Sequence, residues 1–170
     1  MAYSNILMKK LNNKQTASFL LELFDASYSG KAWHGPTLHG SLRGIGKEEA
    51  AWRPAPERHN IWEIAVHCAY WKFIARKRLL GDKRGSFPLK GSNWFRKPTV
   101  VTDEAWEEDL LLLHTSHKAL REAVVELNPA EFDSRTKGGK ESNVILISGI
   151  ASHDVYHAGQ IQLLKRLQQG

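Results

Sequence analysis

The chain has 170 residues, 42% of them hydrophobic, with one cysteine, six tryptophans and a formal charge of +6. That length supports one hydrophobic core and makes two independent domains unexpected, so residues 1–170 are read as a single domain. The composition argues against disorder and against a disulfide scaffold, and no apolar run has signal-peptide or membrane-spanning length, so a cytoplasmic protein without membrane contact is the default expectation.

The positive charge does not form one stripe. Lys9 and Lys10, Arg76 to Arg78, Lys83 and Arg84, and Lys137 and Lys140 are spread over helix ends and loops. With no recognisable reading module, a specific nucleic-acid partner is not expected.

In chain order, the first predicted helix covers residues 14–28, where Phe19, Leu20, Leu23 and Phe24 give an inward face. A long connection follows, rich in Gly, Pro and Trp, and contains WHGPTLHGSL. There Pro36 suits the start of a short helix, His34 and His39 are candidates for acid–base chemistry, and Trp33 is expected to anchor the loop in the core. A second helix is predicted over 60–80, with Asn60 and Glu63 as a capping box and Ile64, His67 and Trp71 on one stripe. After a second long connection, a third helix over 103–127 places Trp106, Leu110, Leu113, His117, Leu120 and Val124 on one face. The fourth, over 143–168, contains no proline and ends near Lys165 and Arg166, which suit a helix C-terminus. Four amphipathic helices of this kind bury one another as a bundle, and the long connections are expected to be partly structured and to cap its opening.

The chemistry is concentrated on the fourth helix. His153 and His157, in ASHDVYHAGQIQLLKR, are four residues apart, so their rings project from one helix face and can converge on one point. Two imidazoles are equally compatible with an exposed pair or a hydrogen-bonded mixed interface, so a third ligand decides the matter. His67 is the best third ligand, because its stripe faces a neighbouring helix. Its depth matches that of the pair if the two helices run parallel. Three histidines would make a facial site with an open position for water or substrate.

Around this triad, Asp154 is a candidate to orient an imidazole or activate water, and Tyr156 to donate a hydrogen bond to substrate. Gln160 is read as a buried hydrogen-bond partner. His114 and His117 form a rival cluster with the His153/His157 pair; His117 is read instead as a packed polar contact and His114 as solvent-facing. His59 is assigned a local loop role, and Cys68 is read as a small core residue.

These motifs resemble the DinB/YfiT-like superfamily of metalloenzymes. His67 in EIAVHCAYW matches its single histidine on the second core helix, and His153 and His157 in HDVYHAGQI match its pair on the last; the likeness extends over nearly the whole chain. The resemblance implies an all-α, DinB/YfiT-like four-helix bundle that binds zinc, nickel or another divalent metal, commonly as a homodimer. It also implies a small-molecule substrate, with some branches acting as thiol-dependent S-transferases or isomerases that use bacillithiol, mycothiol or glutathione. Alignment of WHGPTLHGSL with a family element near the bundle opening makes His34 the better pocket candidate of the two loop histidines. The expected function is therefore divalent-metal-dependent S-transfer or isomerisation with a low-molecular-weight thiol. A metal-dependent hydrolase and a non-catalytic metal-binding or regulatory bundle are the alternatives.

Overall fold

The computed structural model describes residues 12–170; the Lys9/Lys10 charge pair lies outside them. Among the described residues six α-helices form: α1 (Asn13–Tyr28), α2 (Leu38–Leu42), α3 (Lys47–Ala51), α4 (Ile61–Leu80), α5 (Asp103–Val125) and α6 (Asn143–Gln168), with a 3-10 turn at Pro129–Glu131. The domain is all-α, and no strand is present among the described residues. It departs from a plain four-helix bundle because the first long connection folds into α2 and α3, which pack on α6 and α4 respectively. Among the described residues, no helix is long and apolar enough to cross a membrane.

Local chemistry sets the helix boundaries. Asn12 and Gln15 exchange side-chain-to-backbone bonds of 3.0 Å in a full capping box, and Thr102 Oγ1 accepts from Ala105 N at 3.2 Å. The capping box expected at α4 is only half made. Asn60 Oδ1 accepts from Glu63 N at 2.8 Å, but the Glu63 carboxylate turns away to Arg53 and His59. A guanidinium fork offers it two charged hydrogen bonds, more than one backbone N–H can supply. Gly81 ends α4 in the left-handed region at φ 69°, and a Cβ there would sit 2.8 Å from Lys137 Cβ.

The core divides into two apolar clusters. One gathers the start of α4 (Ile61 to Ala69), Trp106 and Leu113 of α5, and Ile161 and Leu164 of α6. The other gathers Leu20 and Phe24 of α1, Ala75 and Leu79 of α4, Leu120 and Val124 of α5, and Leu146 to Ile150 of α6. On every long helix a buried polar residue falls between the two sets: Ser27, Lys72, His117 and Asp154. The bundle thus has a polar belt across its middle.

The clusters also give the helix directions. α4 and α5 both run from the first cluster to the second, while α1 and α6 run from the second to the first. The parallel arrangement expected for α4 and α6 is therefore incorrect. Along α4, His67 meets His153 and His157, and Lys72, more than a turn further on, meets Asp154 rather than a residue beyond His157. The depths still match because each is counted from the opposite end of the bundle. Since α5 runs parallel to α4, the chain must travel back along about 30 Å of a 20-residue helix before α5 begins, which is why residues 81–102 form a long crossover.

Candidate metal centre

α4 supplies His67 and α6 supplies His153 and His157, and their Nε2 atoms meet. His153 Nε2 stands 3.0 Å from His67 Nε2 and 3.1 Å from His157 Nε2. His67 and His157 are buried and His153 is half-buried, at the floor of a cleft of about 520 Å3. Both outer rings have their far nitrogen engaged. His67 Nδ1 donates to the Asn93 backbone oxygen at 2.8 Å. Gln160 donates its amide to Tyr156 Oη at 3.0 Å, which turns its Oε1 toward His157 Nδ1 at 2.7 Å as the acceptor.

Those two bonds place a proton on Nδ1 of His67 and His157 and leave their Nε2 lone pairs directed at the third ring. A single Nε2–H on His153 can satisfy only one of them. The cluster therefore lacks protons for its close contacts, and a shared cation is what such a donor set fits. Two nitrogens each about 2.0–2.1 Å from one ion, at angles between octahedral and tetrahedral, stand about 2.8–3.4 Å apart. The observed spacings lie in that interval. Burial first, and then the neighbouring imidazoles, hold His153 down at about 3. Burial and His67 hold His157 at about 4. Burial also lowers His67, against the opposing pull of the Asn93 carbonyl. Neutral imidazoles are the form that binds metal.

The crossover completes the site. The Trp94 indole lies flat on His67, with ring centroids 3.8 Å apart and planes 10° apart, and its other face stacks on His59 at 3.6 Å. Asn93 adopts φ 63°, uncommon for a residue with a side chain, and its Oδ1 accepts from Trp71 Nε1 at 2.9 Å. The segment is clamped to the start of α4: Lys97 O accepts from Arg53 Nη2 and Asn60 Nδ2, and Lys97 N donates to Glu63 Oε1. Asn93 and Trp94 carried no helical periodicity and no ligating side-chain pattern, so nothing in the sequence marked them out. The one available signal was the length of the crossover.

The other candidates are dispersed. Asp154 is fully buried and pairs with Lys72 Nζ at 2.5 Å, on the core side of α6. Burial raises its carboxyl while Lys72 lowers it. Tyr156 is exposed and lines the cleft beside His157. His34 is exposed, lines neither of the two cavities that touch His157, and shares no ring contact or hydrogen bond with the triad. Trp33, expected to anchor its loop, is instead fully exposed, because α2 with Leu38 and Leu42 provides that anchor. His114 is exposed, and His117 is sandwiched between Phe24 and Tyr28, so the rival four-histidine cluster does not form. His59 bonds to Glu63 at 2.8 Å, in keeping with a local role.

Among the described residues, a second group, Cys68, His153 and Asp154, also brings potential ligand atoms within 4.8 Å of one another. It is the poorer site. Cys68 is fully buried and its thiol is pushed up by burial and by Asp154, while the Asp154 carboxylate already holds Lys72.

No curated protein and no solved structure matches the chain. The family model described as the DinB superfamily matches residues 33–161, which take in α2 through most of α6 and all three converging histidines, and the chain belongs to that superfamily.

Proposed function

We propose that the chain is one DinB-like domain acting as a divalent-metal-dependent enzyme, with His67, His153 and His157 as the metal ligands. The observation that carries this reading is the meeting of three neutral imidazoles through Nε2, with the Nδ1 protons of two held by Asn93 and Gln160. A zinc, nickel or similar ion bound there supplies Lewis acidity to a ligand entering from the cleft.

The residues around the triad hold and orient. Trp94 keeps the His67 ring flat against the crossover, and Gln160 fixes the rotation of His157. Tyr156 Oη accepts from Gln160 and keeps its own proton for a substrate oxygen in the cleft. Asp154, bonded to Lys72, positions the backbone that carries His153 and does not face the cleft. His34 takes no part.

A low-molecular-weight thiol is the preferred nucleophile, giving S-transfer or isomerisation. Neither cavity touching His157 has a carboxylate in its lining, and Asp154 is held by Lys72 on the core side of α6, so no general base of that type faces a ligand in the cleft. A thiol, which ionises at a pH of about 8.5 unaided, needs less help than water. Hydrolysis is the second reading, and its rate is the control in the same assay.

The test is metal content followed by turnover. Protein purified without added metal should hold close to one divalent ion per chain, and His67→Ala, His153→Ala and His157→Ala should each strip it. Unchanged occupancy in the three variants would refute the ligand set. The metal-loaded protein should then consume bacillithiol, mycothiol or glutathione in the presence of electrophilic acceptors; hydrolysis without thiol consumption would transfer the assignment to a hydrolase.

A further inference from the structure

The triad cleft adjoins a second cavity of about 500 Å3 that shares Trp94, Tyr156 and His157 with it. One wall is the outer face of α6. Tyr156, Leu163 and Leu167 recur there at helical spacing and are exposed at 62%, 57% and 52%. The opposite wall is the connection before α4, from which Arg58 and His59 line the cavity, His59 against Trp94. His59 is stacked on Trp94, and Trp94 on His67, so this wall adjoins the triad. From His157 to Leu167 the helix rises about 15 Å, which sets the length of the groove.

Charge distinguishes the two walls. Glu63 is taken by Arg53 and His59, and Glu57 lines an adjoining hollow of about 240 Å3, which Arg58 and His59 also line, but not this groove. Among the described residues the Arg58 guanidinium makes no ion pair. The groove therefore offers one cationic fork on the wall that reaches the triad through His59 and Trp94, and an apolar stripe on the wall formed by α6.

We propose that this groove binds an elongated small-molecule acid, with its anionic group at Arg58 beside Trp94 and its apolar tail along Leu163 and Leu167. Its role as the substrate's tail site rests on the triad being the reaction centre, but binding itself does not. The ligand class explains both walls at once. A purely apolar ligand leaves Arg58 unused, and a small anion leaves the leucine stripe in water.

The experiment is calorimetric titration of the full chain with decanoate, and with decanol as the neutral match. One decanoate should bind per chain. Leu163→Asp and Leu167→Asp should each weaken it at least tenfold, and Arg58→Ala should weaken decanoate at least fivefold while leaving decanol unchanged. All three side chains are exposed, so unchanged circular dichroism is expected and checks the fold. His153→Ala, which disrupts the triad, should leave decanoate affinity within twofold, separating failure of the metal reading from failure of this one. Decanoate affinity indifferent to the leucine variants, an equal loss for decanol in Arg58→Ala, or abolition by His153→Ala would each overturn the proposal. So would a dimer that Leu163→Asp splits into monomers, which would assign the stripe to a second copy of the chain.

Discussion

Lys72 and Asp154 meet Nζ to Oδ2 at 2.5 Å with both side chains all but fully buried, and they join the two helices that carry the converging histidines. Lys72 follows His67 by little more than one turn, and Asp154 directly follows His153. The ammonium also stands over the rings of Tyr28 and Phe24 at 5.1 and 5.5 Å. The pair thus fixes α4 against α6 at the level of the triad.

Breaking one half of that pair should cost far more than replacing both. Lys72→Met leaves a buried carboxylate without its cation and should lower stability by about 3–5 kcal/mol, whereas Lys72→Met combined with Asp154→Leu should recover most of that loss. Urea denaturation of the four members of the cycle checks this; equal losses in the single and double variants would contradict it.

Gln160 acts on the triad only through His157. Gln160→Ala should leave the fold intact and weaken metal affinity by about 10- to 100-fold, the usual effect of losing an outer-shell partner. Competition against a chelating dye measures it, and Gln160→Glu, which keeps the acceptor, should retain more affinity than Gln160→Ala.

Trp94 contributes two ring stacks, one on His67 and one on His59. Trp94→Ala should destabilise the protein by about 1–3 kcal/mol and also lower metal affinity, while Trp94→Phe should restore part of both. Thermal melts of metal-free and metal-loaded protein separate the two effects, since only the metal-loaded melt carries the affinity term.

His117 gives a pH signature away from the metal ligands. Burial first, then Lys72 and other neighbouring cations, hold it down at about 2, and its Nδ1 has no hydrogen-bond partner. The folded value lies below the unfolded value of about 6.5, so the unfolded chain takes up the proton first as pH falls. Stability from this group is fully present above about pH 6.5 and declines below it, by up to about 1.4 kcal/mol per pH unit. His117→Phe, which keeps a flat ring between Phe24 and Tyr28, should therefore flatten the stability profile of metal-free protein between pH 6 and pH 4. An unchanged slope would show that His117 does not contribute to the acid response.

The secondary structure was largely legible because its causes are local. Asn12, Asn60, Thr102 and Ser142 cap the four long helices from within a few residues, and the expected ends at 14, 60, 127 and 168 fall within two residues of those found. The i,i+4 spacing of His153 and His157 guarantees that their rings share a face, and the apolar stripe around His67 guarantees that it faces another helix.

Local patterns in the chain therefore define the long helices and the face on which each histidine stands. Packing in three dimensions set which way α6 runs against α4, because a depth counted along a helix reads the same for either direction. It also decided that α5 returns parallel to α4, which forces the crossover to pass over the triad and brings Asn93 and Trp94 onto His67. The same packing assigned Lys72 to Asp154, partners 82 residues apart that no local pattern connects. Periodicity is a property of neighbouring residues, while the orientation of a ligand depends on side chains that approach from elsewhere in the chain.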